Sequence, residues 1–452
     1  MESSLPSARG ITRRSALKVA AGAAALPFVH IRTAGAAGKL AAGFWDHWVP
    51  GANDVMRKLV AEWADKNKVD VSVDFITSVG NKNLLTLAAE SQAGTGHDLQ
   101  QFPTWEVQDY ADKLEPMDDV VTRLSEKYGK LSAVAEYLSK VKGHFMAVPA
   151  VTGTQNKPGC GRIDTFKEQF GIDLVAMCPV GGEMGPGYDK WTWDAFLEYA
   201  PKVQKIGQPW GMPMGQTTDA VDWVGGLFRS YGAVLVNEKG EITVKSDAVR
   251  TVLEYMKKLA PYLPADMYSW DDASNNRALI SGKSALIFNP PSAWAVAVRD
   301  NRPVGEQCWT FPNPAGPKGR FVPHLPYFWG SWKFAPNKSA AKELIEWLSQ
   351  REQAQRLCQA SKGYDLPPFD SMHDFKVWED VGPPKGTVYN YPVRPQHHAE
   401  PSIAAFPAPP EIAIQIYNQS TMTKMIAKVT SSGQTIDQAI DWAQGELEGF
   451  TR

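Results

Sequence analysis

The chain has 452 residues, 43% of them hydrophobic and 21% charged, with a formal charge of -2. That length is more than one hydrophobic core fills and points to two domains of ordinary globular composition. The slightly acidic balance gives no support to a nucleic-acid or membrane-surface partner. Sixteen Trp are many for such a chain. Indole is apolar with one N–H to satisfy, which suits a ligand-handling surface as well as a core.

Residues 1–36 differ in kind from the rest. Thr12-Arg13-Arg14-Ser15-Ala16-Leu17-Lys18 resembles the twin-arginine export pattern, with Ala16 where Phe is usual. The apolar run Val19 to Val29 is too short to span a bilayer, and Ala34-Gly35-Ala36 supplies small residues for cleavage. The expected mature start is near Ala37, in the periplasm after export as a folded protein. Removing Arg9, Arg13, Arg14, Lys18, Arg32 and Glu2 takes the formal charge from -2 to about -6. Four cysteines (Cys160, Cys178, Cys308 and Cys358) form no C-x-x-C and no zinc spacing, so buried thiols are expected, with a Cys160–Cys178 bridge left open.

The mature chain begins with a strand, Lys39 to Trp45. A helix capped by Asn53 or Asp54 follows, with Val55, Met56, Leu59, Val60 and Trp63 on one face. Val69, Val71, Val73 and Phe75 alternate with polar residues as a second strand. Leu84 to Gln92 is helical, Gly94 and Gly96 end it, and Asp98 to Phe102 makes a third strand. Strands alternating with helices imply a parallel α/β sheet, whose ligands gather beyond the carboxyl ends of the strands. Phe44-Trp45-Asp46-His47-Trp48 lies at the end of the first strand, and Ser78 and Trp105 follow the second and third. Further on, helices are expected over Trp191–Gln204 (begun by Thr192), Asp247–Leu259, Ala340–Leu357 and Glu411–Phe450, the last broken at 431–433. Short strands are expected over Ser284–Phe288 and Trp332–Pro336, and loop with short helices over 362–410.

Motifs of enzyme chemistry (H-E-x-x-H, G-x-S-x-G, the P-loop, the dinucleotide fingerprint) are missing from the sequence. Gly181 to Gly187 reads as a loop, His397-His398 as a solvated pair, and Tyr389 and Tyr391 are not adjacent as ferric-ion ligands would be. No metal or cofactor is expected.

Several segments are instead similar, in order, to the maltose/oligosaccharide-type (family 1) solute-binding proteins of ABC importers. Leu87 to Asp98 resembles the family's helix and Gly-x-Pro-Asp turn, with His97 in place of Pro. Val148-Pro149 resembles the first crossover between lobes. Ile280 to Trp294, Gly330 to Trp347 and Ser432 to Ala443 resemble the later strand, return-strand and last-helix segments. The chain departs from the family at Gly159-Cys160-Gly161-Arg162, where Tyr-Asn-Lys is usual, and around Pro290-Pro291.

The resemblance implies a class II periplasmic binding fold: two α/β lobes, each with a mainly parallel sheet flanked by helices, and a ligand cleft between them. One lobe would comprise 37–149 with 327–363 and the other 150–326 with 364–452. It implies a monomer that delivers a carbohydrate or related polar solute to an inner-membrane permease. Trp45, Trp48 and Trp294 are the expected stacking platforms, and Asp46 and His47 the polar anchors. Ser78 and Trp105 complete the first rim, while Gln216, Thr217 and Asp219 close from the second lobe. Trp329 and Trp332 flank a hinge glycine. Two alternatives stand beside this reading: a cationic amine held in a Trp cage on the same fold, and an exported cofactor-dependent enzyme.

Overall fold

A computed structural model describes residues 38–180, 183–388 and 399–451. The twin-arginine segment, Gly181-Gly182, Tyr389, Tyr391 and His397-His398 lie outside these residues.

The first sheet is built from β1 (Lys39–Trp45), β2 (Asp70–Ile76), β3 (Leu99–Pro103), β4 (Val148–Asn156) and β8 (Gly319–Gly330), in the order β2-β1-β3-β8-β4. Two short strands, Ala315–Gly316 and Glu400–Ser402, also pair with β8. β1 is parallel to β2 and β3, while β8 runs antiparallel to both β3 and β4. Helices Ala52–Asn67 and Lys82–Ala93 make the β-α-β crossovers that parallel pairing requires. The expected alternation of β2 is seen, with Val71, Val73 and Phe75 shielded and Asp70, Ser72 and Asp74 exposed.

The second sheet is small: β6 (Leu286–Phe288), β5 (Gly159–Arg162) and β7 (Cys308–Phe311), in that order. All its pairings are antiparallel, so the parallel character expected of both lobes belongs to the first. Helix Trp193–Lys205 packs on it, Trp193 and Phe196 meeting Phe288, while helix Thr218–Tyr231 packs against β8 of the first sheet and helix Asp247–Leu259 against both of these helices. Thr192 caps the first of these as expected, its side chain accepting the Ala195 N–H. The four cysteines are buried and none is in a disulfide. The Cys160 thiol is hydrogen-bonded with the free thiol of Cys308, and this contact together with burial holds its pKa well above the usual range.

Four local expectations are corrected. The first helix starts at Ala52 behind Gly51, because Asn53 is engaged elsewhere: its Oδ1 accepts from the His47 N–H. Trp332–Pro336 is a turn, since the strand ends at Gly330. The helix expected over Ala340–Leu357 is two, Lys338–Leu348 and Arg351–Ala360, and the tail breaks at Ser420 as well as at 431–433. Ser420 has φ of +54°, a left-handed turn that ends one helix before the next begins.

Two of the segments quoted for the family resemblance, Leu87–Asp98 and Gly330–Trp347, are tied together by Asp98. Its carboxylate accepts from the Ala41 N–H at 2.9 Å and the Asn337 N–H at 3.0 Å, joining β1 to the start of helix Lys338–Leu348. His97, where Pro is usual, bridges Glu90 (2.5 Å) and Asp74 (3.1 Å). Burial draws its pKa down, but the two carboxylates outweigh burial and leave it raised.

Candidate functional site

A cavity of about 460 Å³ opens beyond the carboxyl ends of the first sheet's parallel strands. Trp48 comes from the loop after β1, Ser78 to Asn81 from the turn after β2, and Glu106 from the segment after β3. The same cavity is lined by Gln216 to Thr218, Asp271 to Ala273, and Tyr417, Asn418 and Ser420. The cavity is thus walled by segments far apart in the chain.

Four expected site residues meet there: Trp48, Ser78, Gln216 and Thr217. Trp48 is half-buried, with ring surface left for a ligand. Thr217 accepts the Ala220 N–H and so caps helix Thr218–Tyr231, which fixes its place on the wall. Ser78 Oγ lies 3.4 Å from Trp45 Nε1.

The other expected residues are engaged with the protein. Trp45 is buried, its ring 4.8 Å from His47 and 5.5 Å from Tyr327. Asp46 Oδ1 accepts from Asn53 Nδ2 at 2.7 Å. His47 accepts the Val49 N–H at Nδ1, so Nε2 carries the proton that faces Asp365. Trp105 packs against Tyr137 and Tyr417. Asp219 binds Lys157 and Asn275 beneath the wall. Trp329 is fully buried in β8, opposite Gln101. Trp332 donates to Glu90 Oε2 at 2.9 Å.

Trp294, expected to stack on the ligand, is 1% exposed and donates its indole N–H to the Pro383 carbonyl. It lies in helix Ser292–Asp300 rather than at a strand end, so its ring turns into the lobe. Conversely, sequence reasoning missed Glu106, Asp272 and Tyr417. Only Glu106 had a local signal, since it adjoins Trp105 at the end of the third strand.

Beneath the wall lies a buried ionic group. Lys157 bonds to Asp219 and, at 2.6 Å, to Asp222, whose other oxygen accepts from Tyr417 Oη at 2.8 Å. Burial opposes the Lys157 charge, but Asp219, Asp222 and Asp272 outweigh it and hold the ammonium protonated. Burial pushes the Asp222 carboxyl up, with Lys157 partly countering.

The fold is two-lobed α/β, with a cavity at the strand ends of the first sheet. The family model described as "Bacterial extracellular solute-binding protein" matches residues 58–383, and the chain belongs to that family. A "Probable ABC transporter-binding protein" of Deinococcus radiodurans is 27% identical over 189 residues, covering 38% of this chain and 43% of that protein. The match thus spans less than half of that relative's length. Maltose-bound MalE3 of T. maritima superposes with a TM-score of 0.69 at 18% identity, covering 91% of this chain and 99% of that one. An ABC transporter solute-binding protein of Thermotoga lettingae bound to alpha-D-tagatose gives 0.71 at 16% identity, covering 92% and 100%.

Proposed function

We propose that the protein is the periplasmic substrate-binding component of an ABC importer, exported by the twin-arginine route, and that it carries a carbohydrate or related polar solute to an inner-membrane permease. The observation that supports this reading is the shared lining: Trp48 and Ser78 from the strand-end loops border the same cavity as Gln216 and Thr217. Such a site needs no reaction. Sugar C–H faces pack on the Trp48 ring, while hydroxyls exchange hydrogen bonds with Ser78, Gln216 and Thr217. The solved relatives bound to maltose and to tagatose are consistent with a sugar-sized guest.

The proposed lobes are residues 37–149 with 327–363 and 150–326 with 364–452, and the monomer closes by rotation near Pro149, Tyr327 and Lys362. A thermal-shift screen over sugars, polyols, amines and organic acids tests this. A ligand at a hundredfold its Kd stabilises the native state by about 2.7 kcal/mol. Small-angle scattering with that ligand is expected to show the radius of gyration fall, and an unchanged radius at saturation counts against closure. Exchanging Arg13 and Arg14 for Lys is expected to leave precursor in the cytoplasm, and undiminished periplasmic yield would refute the export route.

A further inference from the structure

Three carboxylates line the cavity, Glu106, Asp271 and Asp272, and the described residues lining it include no Lys, Arg or His. Two of the three are answered by the protein. Asp271 pairs with Arg277 at 2.9 Å. Asp272 Oδ1 accepts from Thr218 Oγ1 and the Asp219 N–H, both at 3.1 Å, at the positive end of helix Thr218–Tyr231. Lys157, behind the wall, is taken up by Asp219 and Asp222.

Glu106 is different. It is 8% exposed, and its carboxyl has no hydrogen-bond partner among the described residues although it borders the cavity. Its oxygens are not among the sealed, partnerless atoms of the interior, so what access they have is from the cavity, where a ligand atom can complete the pairing. Trp48 and Tyr417 place aromatic rings on the same cavity, and such rings attract cations over their faces.

We propose that the solute presents a protonated amine to this cavity, and that Glu106 receives it. The inference rests on the binding-protein reading above and names the chemistry of its guest: an ammonium group, on an amino sugar or on a linear polyamine. Burial, and after it the neighbouring Asp109, push the Glu106 carboxyl up to about 8. A bound cation reverses that shift, so binding at pH 7 releases a proton.

Isothermal titration of the mature protein at low salt tests this with four probes: D-glucosamine, D-glucose, putrescine and spermidine. At least one amine is expected to bind about 10- to 100-fold more tightly than D-glucose, the range of one charge-assisted hydrogen bond. Whether D-glucosamine or the polyamines prevail identifies the source of the ammonium. Glu106→Gln is expected to bring that preference below about threefold and to abolish proton release, while the melting transition is retained because Gln keeps the side chain's shape and no hydrogen bond within the protein is lost. The wild-type comparison stands by itself if the variant does not fold. D-glucose binding as tightly as every amine overturns the inference and leaves the binding-protein reading intact. No saturable binding by any probe counts against both.

Discussion

His47 Nε2 lies 3.1 Å from Asp365 Oδ1, with both side chains buried. The same oxygen accepts the Gly153 N–H at 2.8 Å. One carboxylate therefore gathers the loop after β1, the middle of β4 and the segment after helix Arg351–Ala360. Beside it, Trp45 packs its ring against Tyr327 and Tyr364, and Tyr364 packs against His47. The aromatic-acid-imidazole cluster at residues 44–48 thus divides its work: Trp45, Asp46 and His47 hold the chain segments in place, and Trp48 alone of the five lines the cavity.

Gly153 is where this junction tolerates least. Its φ is +87°, and a Cβ there would sit 2.3 Å from the Tyr327 ring. Gly153→Ala combines left-handed strain with overpacking and is expected to destabilise the protein by about 2 kcal/mol or more. Urea unfolding measures it, and a wild-type midpoint would show that the junction relaxes freely.

Trp48 and Trp294 are expected to behave oppositely. Trp48→Ala removes a cavity wall and should weaken the best ligand of the thermal-shift screen by about 2 kcal/mol, with little change in melting temperature. Trp294→Ala empties a buried site and leaves the Pro383 carbonyl unmatched, a loss of about 3–5 kcal/mol in stability. Affinity and melting measured on both variants decide the assignment; a Trp294 variant that melts like wild type would reopen it.

Lys157→Met is expected to cost about 3–5 kcal/mol, because Asp219 and Asp222 are then buried without their cation. Adding Asp219→Asn and Asp222→Asn to that variant should recover much of the loss. Equal stability of the single and triple variants would mean that the charges are not coupled.

His324 supplies an acid-sensitive element. Burial lowers its pKa to about 4, from an ordinary 6.5. Its Nδ1 lies 2.7 Å from Asn156 Oδ1, and its Nε2 lies 3.4 Å from Ser132 Oγ. The unfolded chain takes up a proton below 6.5, whereas the folded chain does so only near 4. The stability is therefore present in full above 6.5 and is lost as pH falls through the window to about 4. The loss amounts to about 3 kcal/mol. Denaturation at pH 7 and pH 4.5 is expected to show a smaller drop for His324→Gln than for wild type, and equal drops would refute the assignment.

The local sequence determined the first half-sheet. Period-two alternation marked β2, glycine marked the end of helix Lys82–Ala93, and helix Asp247–Leu259 was legible to the residue. These features depend on side chains a few positions apart, which any stretch of chain carries with it. β8 was not legible, because it is buried along nearly its whole length and so shows no alternation, and Pro323 and Pro326 argue locally against a strand. The fate of each tryptophan was decided later still. Trp48 and Trp294 both adjoin turns rich in Pro or Gly, yet one ring meets a cavity and the other meets the Pro383 carbonyl. Glu106 likewise came to border a cavity only because residues 216–218, 271–273, 417, 418 and 420 were brought to line it too. A side chain's own neighbours set its rotamer and its element, whereas its burial is set by what the distant chain brings to the opposite wall.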